Sequence, residues 1–203
     1  MFTGIVQSQA DVYSVKNENN LTRLIVKIEE SFVEHLSLGA SIAVNGVCLT
    51  VVNYKSELGM VFISFDVIAE TLAVSNLAQL AVNDKVNVER SLRVGDEIGG
   101  HMVSGHVHTM GLLNSRVETK SNCTLGFEVD TQWLKYILPK GFISINGISL
   151  TVGEVSETGF NVHLIPETLA RTNLQSLSLG MQVNIECDQQ TMTIVHTIER
   201  MKL

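Results

Sequence analysis

Apolar and polar residues alternate along most of this chain, and Asn, Gly and Asp break the alternation at short intervals. Leu24, Val26 and Ile28 fall on one face of the stretch from Leu21 to Ile28, with Arg23, Ile25 and Lys27 on the other. That period of two predicts a half-buried strand. Val6 to Val15 alternates more loosely and is joined to it by a polar turn, Lys16-Asn17-Glu18-Asn19-Asn20. Ser31 to Leu36 reads as a helical turn, with Ser31 as its cap and Gly39 as its stop. Ser41 to Val44 is a short strand, Asn45-Gly46 a tight hairpin turn, and Val47 to Tyr54 the returning strand. A second turn at Glu57-Leu58-Gly59 leads into Val61 to Val67. Leu72, Leu77 and Leu80 suit one short helix over Glu70 to Leu80, and Asn83-Asp84 turns into a last strand, Val86 to Glu89. Six short strands interrupted by one helix predict a small antiparallel barrel.

The same pattern then recurs. Asn45-Gly46-Val47-Cys48-Leu49-Thr50-Val51 is matched 101 positions on by Asn146-Gly147-Ile148-Ser149-Leu150-Thr151-Val152. Met1-Phe2-Thr3-Gly4-Ile5-Val6 is matched by Met102-Val103-Ser104-Gly105-His106-Val107, and Trp133 to Leu138 stands where Phe32 to Ser37 stood. Further on, the offset shortens by four residues. Glu70-Thr71-Leu72 pairs with Glu167-Thr168-Leu169, and Val86 to Glu89 with Val183 to Glu186. The change falls in the hairpin around Tyr54 to Met60, where insertions are tolerated. An internal repeat of this kind predicts two similar barrels, with units at 1–97 and 98–187 meeting near Gly95, Gly99 and Gly100. The tail, 188–203, has no counterpart in the first half. Asp188 is a candidate N-cap, and Thr191, Ile194, Val195, Ile198 and Met201 recur at helical spacing. Periodicity alone leaves open whether that helix covers its own barrel or meets a partner subunit.

Composition narrows the functional classes. The chain has 203 residues, 45% of them hydrophobic and 17% charged, which supports a packed core and argues against disorder. A net charge of −7 disfavours nucleic acid and anionic lipid as partners. No Gly-rich phosphate loop is present. The three cysteines, Cys48, Cys123 and Cys187, are far apart, so neither a disulfide framework nor a structural zinc site is expected, and a reducing cytoplasm is. No leader and no membrane-spanning run are expected from the sequence.

Differences between the two copies carry the chemistry. Cys48 faces Ser149, Ile5 faces His106, Phe2 faces Val103, Asp66 faces His163 and Gly39 faces Lys140. Neutral packing would exchange apolar for apolar, whereas several of these exchanges introduce a titratable group. Two pockets that hold like ligands but do different work would differ in this way, which points to His106, Lys140 and Cys48. Glu70 and Glu167 each precede a Thr where a strand breaks into a helix. There they either cap backbone amides or bind ligand hydroxyls. His101, His106 and His108 form a spacing that zinc could use, but no firm carboxylate or thiol accompanies them, and no metal site is expected. A cysteine on an apolar strand is more often inert than nucleophilic. A Ser-His-Asp hydrolase would need a nucleophile elbow that is missing.

The stretches MFTGIV, NGVCLTV, GGHMVSGHV, LPKGFISINGISLTVGEV and HLIPETLARTNL, taken together, resemble the riboflavin synthase family over essentially the whole chain. The resemblance implies an all-β fold of two tandem six-stranded antiparallel Greek-key barrels with a C-terminal α-helix. It also implies a homotrimer held by a bundle of that helix. The reaction implied is a dismutation, in which two 6,7-dimethyl-8-ribityllumazine molecules exchange a four-carbon unit. The products are riboflavin and 5-amino-6-ribitylamino-2,4-pyrimidinedione, and neither metal nor organic cofactor is needed. The implied site lies between the first barrel of one subunit and the second barrel of its neighbour.

Carried onto this sequence, one lumazine would contact Gly4, Ile5, Val6, Cys48, Leu49, Thr50 and the run Asp66, Val67, Ile68, Ala69, Glu70, Thr71. The other would contact Gly105, His106, Val107, Ser149, Leu150, Thr151 and the run His163, Leu164, Ile165, Pro166, Glu167, Thr168. Lys140 stands at a binding lysine, Asp188 at an active-site aspartate, and Phe2 would pack near the rings. With Cys48, Ser149 and His106 these make up the catalytic set. His106, or a water it orients, is expected to deprotonate the acidic lumazine methyl. The lumazine protein of luminous bacteria is similar throughout but binds without turnover and has lost the second motif set. This chain keeps Ser-Gly-His, Ser-Leu-Thr and Pro-Glu-Thr there, which favours the enzyme.

Overall fold

In a computed structural model, which describes residues 1–18 and 21–201, the alternating stretches become twelve strands in two closed barrels. The first holds β1 (Ser8–Glu18), β2 (Leu21–Glu29), β3 (Ser41–Val44), β4 (Val47–Glu57), β5 (Met60–Ile68) and β6 (Lys85–Arg90). Around the barrel they run β1-β2-β5-β4-β3-β6, with β6 closing on β1. The second holds β7 (Thr109–Glu118), β8 (Cys123–Glu128), β9 (Phe142–Ile145), β10 (Ile148–Val155), β11 (Gly159–Leu164) and β12 (Gln182–Cys187), in the matching order. In each, the second strand skips the next hairpin to pair with the fifth, which is the Greek-key path. Closure leaves no sheet edge. Bulges at Val12–Ser14 and Leu113–Ser115, at matching points of the two barrels, give the bend that closure needs.

Each interior is one apolar cluster. Leu24, Val26, Ile42, Ile63 and Phe65 fill the first, and Leu113, Leu125, Phe127, Ile143 and Ile145 the second. Both Asn-Gly turns take positive φ at two successive residues, 46° and 78° at Asn45 and Gly46, and 46° and 81° at Asn146 and Gly147. That backbone matches the twist of the flanking strands. The first barrel's longer β4–β5 hairpin accounts for the four-residue change in offset.

Three local expectations are corrected. The turn after β2 is a 3-10 segment, Glu30–Val33. Glu29 precedes it with no capping side chain, so Ser31 is no cap and Gly39 no stop. Gly39 instead gives its N–H to the Val51 carbonyl at 2.9 Å. The helix expected over Glu70 to Leu80 is split into α1 (Ala69–Val74) and a 3-10 turn, Asn76–Gln79. Extended backbone at Ser75 breaks it, and the Asn76 N–H leaves the helix ladder to reach Asn184 Oδ1 at 2.6 Å. α2 (Pro166–Arg171) ends in the same way at Thr172. The polar turn after β1 includes Asn19 and Asn20, outside the described residues.

The tail forms α3 (Gln189–Met201), and Asp188 caps it by accepting from the Thr191 N–H (2.7 Å) and Oγ1 (2.8 Å). Lys202 and Leu203 lie outside the described residues. Met192 and Val195 pack on the second barrel, His196 hydrogen-bonds Tyr136, and Glu199 pairs with Lys135 at 2.8 Å. Ile194, Ile198 and Met201 stay exposed, so the apolar stripe is only half used.

The barrels meet at a near-symmetric seam of asparagines. Asn45 Oδ1 accepts from the Asn87 N–H (2.9 Å) and Asn173 Nδ2 (3.0 Å), while Asn146 Oδ1 accepts from the Asn184 N–H (2.8 Å) and Asn76 Nδ2 (3.1 Å). Asn87 Nδ2 reaches across to the Asn146 carbonyl (3.0 Å), and Asn184 Nδ2 to that of Asn45 (2.8 Å). The two turn glycines touch back to back, so that a Cβ on Gly46 would lie 2.6 Å from the Gly147 nitrogen.

Candidate active site

On the same side of the barrels as the Cys48 and Ser149 strands, two segments cross between the barrels. Residues 1–6 precede the first barrel, yet the Gly4 carbonyl accepts from the Ser149 N–H at 2.7 Å, and Val6 packs on the second barrel's core. Residues 102–107 precede the second barrel, yet the Gly105 carbonyl accepts from the Cys48 N–H at 2.9 Å, and Val107 packs on the first. Between the barrels, Phe2 and Val103 bridge through paired backbone bonds of 2.7 and 3.0 Å. Phe2, Ala43 and Val103 are buried there with Cys48 against them.

The expected grouping of residues is therefore corrected. Gly4, Ile5 and Val6 stand with Ser149, Leu150 and Thr151, and Gly105, His106 and Val107 stand with Cys48, Leu49 and Thr50. Both glycines are needed for contact. They take φ of 73° and 83°, and a Cβ would lie 2.6 Å from Cβ of Ser149 or Cys48.

The surfaces beside these contacts differ in character. Thr50, Ile68, Ala69, Glu70 and His106 are exposed around the Cys48 strand, as are Ile5, Thr151, His163, Ile165, Pro166 and Glu167 around the Ser149 strand. Thr71 and Thr168 are half-buried. Leu49, Val67 and Leu164 turn into the barrel cores, so only their backbones face the sites. Glu70 and Glu167 do not cap their helices, whose first turns carry no side-chain cap. Glu70 has no partner among the described residues, and Glu167 pairs with Arg171. Arg23 binds Asp66 through two bonds, of 2.8 and 3.0 Å, and holds its carboxyl below the ordinary range. His163 meets Thr124 at 3.0 Å. Lys140 is exposed and takes φ 67° where the first copy has Gly39 at 82°.

The three histidines near residue 100 go separate ways. His106 is exposed, whereas His108 Nδ1 accepts from the Cys187 N–H (3.1 Å) and its ring lies against Trp133. Neither lies on a strand. His101 is buried, with Nδ1 2.6 Å from Ser149 Oγ and its ring stacked on Phe142, centroids 5.0 Å apart. Burial pushes its pKa below the ordinary histidine value, against the pull of nearby Asp188. A neutral imidazole paired with Ser149 can take or return one proton at that hydroxyl.

His101, which touches Ser149, and Phe142, which stacks on His101, were not among the residues expected from the sequence. The available signal was Phe142's place opposite Thr151, where the first barrel sets Ser41 opposite Thr50. A cavity of about 490 Å³ includes only Ile5 of the expected residues. His106 and Lys140 are exposed and Cys48 and Ser149 half-buried, so one chain presents them as open walls.

The lumazine binding domain model matches residues 3–91 and 104–188. The chain is 49% identical to riboflavin synthase of Escherichia coli (strain K12), over 98% of this chain and 92% of that protein. It is 40% identical to riboflavin synthase of Buchnera aphidicola subsp. Schizaphis graminum (99% and 95% covered), and 36% identical to that of Bacillus subtilis (strain 168) (93% and 85%). Among solved structures it superposes on LumP complexed with riboflavin, with TM-score 0.84 and 25% identity, covering 93% of this chain and all of that one. LumP complexed with 6,7-dimethyl-8-(1'-D-ribityl) lumazine has the same fold, with TM-score 0.83 and 23% identity.

Proposed function

Since this chain belongs to the riboflavin synthase family and is an enzyme of the transferase class, we propose that it works as a trimer with two lumazines held between subunits. The observation that carries this is the pair of open, unequal walls. One presents Cys48, Thr50, His106 and Ile68, the other Ser149, Thr151, His163 and Ile165, and on a single chain all but the half-buried Cys48 and Ser149 are exposed. A neighbouring subunit would complete the enclosure. The bare stripe of Ile194, Ile198 and Met201 on α3 is the surface for that assembly.

Two molecules of 6,7-dimethyl-8-ribityllumazine would lie with rings face to face. Proximity lowers most of the barrier to a bimolecular step between identical substrates. One lumazine loses a methyl proton and its carbanion attacks the other, which passes on four carbons and leaves as 5-amino-6-ribitylamino-2,4-pyrimidinedione. His106, exposed beside the Cys48 strand, is placed to receive the methyl proton directly or through water. Ser149 with His101 returns a proton on the opposite wall. Lys140 and Asp188 would orient the ring carbonyls and the leaving amine, and the buried Phe2 supports the Cys48 wall from beneath. Thr50, Glu70, Thr151 and Glu167 suit the uncharged ribityl hydroxyls.

The functional units would be 1–97, 98–187 and 188–203. Three free cysteines support a cytoplasmic enzyme, and no helix among the described residues is long and apolar enough to cross a membrane. Incubating the purified protein with 6,7-dimethyl-8-ribityllumazine should yield riboflavin catalytically, from a species sedimenting as a trimer. A stoichiometric complex without turnover would refute the enzyme reading. His106→Gln should lower turnover, and wild-type turnover at every pH would remove His106 as the base.

A further inference from the structure

Each crossing segment is gripped by one buried carboxylate. Glu89 Oε1 accepts from the Thr3 N–H (2.6 Å) and Thr3 Oγ1 (2.8 Å), and its Oε2 from the Gly4 N–H (3.1 Å). Glu186 repeats the arrangement, with Oε1 on the Ser104 N–H (2.7 Å) and Oγ (2.9 Å) and Oε2 on the Gly105 N–H (3.0 Å). Both residues are almost wholly buried, at 4% and 5% exposure, on the strands that close their barrels. Among the described residues neither carboxyl is in a salt bridge, and His106 is the one cationic influence on Glu186.

Three donors converge on the two oxygens of each carboxyl, two backbone N–H groups and one hydroxyl, and a carboxylate accepts from all three. Burial pushes both pKa values up, and the bonds from the loop pull against it. Burying a carboxyl to hold a loop is expensive when an amide acceptor could serve as an anchor. The far side of the loop explains the choice. Gly105, held at its N–H by Glu186, accepts at its carbonyl from the Cys48 N–H, and Gly4, held at its N–H by Glu89, accepts from the Ser149 N–H. Ser104 Oγ also accepts the His106 N–H at 3.1 Å, extending the grip to the next residue.

We propose that Glu186 and Glu89 are positioning residues. Each clamps a crossing segment from one barrel against the reacting wall of the other, Glu186 setting His106 over Cys48 and Glu89 setting Ile5 over Ser149. Because each clamp serves one wall, the two act separately. This rests on the two-pocket reading above and adds which buried group governs which pocket.

The test is a titration of Glu186→Gln and Glu89→Gln with riboflavin, followed by flavin fluorescence and fitted to two sites, together with lumazine turnover and a thermal melt. In either variant the new amide N–H₂ faces a backbone N–H, and the loop shifts. An ångström of misplacement can lower rate by about a hundredfold. The expected result is kcat down by roughly ten- to a hundredfold, with one site weakened in Glu186→Gln and the other in Glu89→Gln. Ser104→Ala keeps the carboxylate and both amide bonds, so it folds if the Gln variants do not. It should weaken the same site as Glu186→Gln. Equal weakening of both sites by either change, or two unchanged sites with kcat within twofold of the parent, overturns the proposal. Failure of the parent protein to turn over lumazine would sink the enzymatic reading alone, since the site-selective titration does not depend on turnover.

Discussion

Gly147→Ala tests how tightly the two barrels are fitted at their seam, and Gly59→Ala is its control. Both glycines end a two-residue turn with nearly the same backbone, φ 81° and 76°. Both substitutions therefore carry the same left-handed strain, about 1 kcal/mol. They differ in what the new methyl meets. At Gly59 nothing lies within 4 Å, whereas at Gly147 the methyl would sit 2.8 Å from the Gly46 nitrogen and 3.0 Å from its Cα. Those atoms are backbone in the facing turn and can yield only if the barrels part. Overpacking of this kind adds about 1–3 kcal/mol. In a chain of this size about 1 kcal/mol moves Tm by about 2–4 °C. Gly59→Ala should thus lower Tm by about 2–4 °C, and Gly147→Ala by roughly two to four times as much. Turnover should fall only in the latter, because Cys48 and Ser149 each lie two residues beyond a seam glycine. Equal shifts in the two melts, or full activity in Gly147→Ala, would refute the idea that this contact sets the spacing of the walls.

Lys140→Gly relieves the left-handed strain at φ 67° and should raise Tm by about 2–4 °C while weakening lumazine binding; a stabilised, fully active variant would take Lys140 out of the site. Above pH 6.5, the ordinary histidine value, the folded and unfolded chains both carry neutral His101, and as pH falls below it the unfolded chain takes the proton first. The native protein should therefore lose stability relative to His101→Gln as pH drops below about 6.5, and parallel melting curves from pH 8 to 5 would contradict the buried neutral imidazole. Ile194→Asp with Ile198→Asp alters exposed positions, so an isolated chain should stay folded within about 0.5 kcal/mol. Sedimentation should show monomers and turnover should vanish; an intact trimer would move the assembly surface elsewhere.

What the sequence disclosed was whatever is local. Alternation located the strands, paired positive-φ residues located the Asn-Gly turns, and internal similarity showed two barrels of one topology. The split at Ser75 was hidden because a tertiary bond, from the Asn76 N–H to Asn184, overrides a run that suits a helix. The crossing of residues 1–6 and 102–107 left no local trace. Either segment would carry the same motif whether it lay on its own barrel or the other, so proximity in sequence suggested the wrong partner. Asn87 and Asn184 did give a hint, as polar residues between Val86 and Val88 and between Val183 and Ile185 in matching strands. Their partners are set by the meeting of the barrels. His101 read as one of a histidine cluster until its bond to Ser149 gave it a separate role.

The crossing also imposes an order of assembly during synthesis. The first six residues leave the ribosome first, but their anchors follow late and in sequence: Glu89, then Val103, then Ser149. At about 5–20 residues per second, the Ser149 amide follows Gly4 by about 7–30 s. Through that interval the first barrel can close, since its last strand ends at Arg90. Glu89 can then already hold Thr3 and Gly4, while Phe2 still awaits Val103. A nascent chain released early would carry a finished barrel with one phenylalanine exposed, and the final step of folding is the docking of an already formed unit onto it.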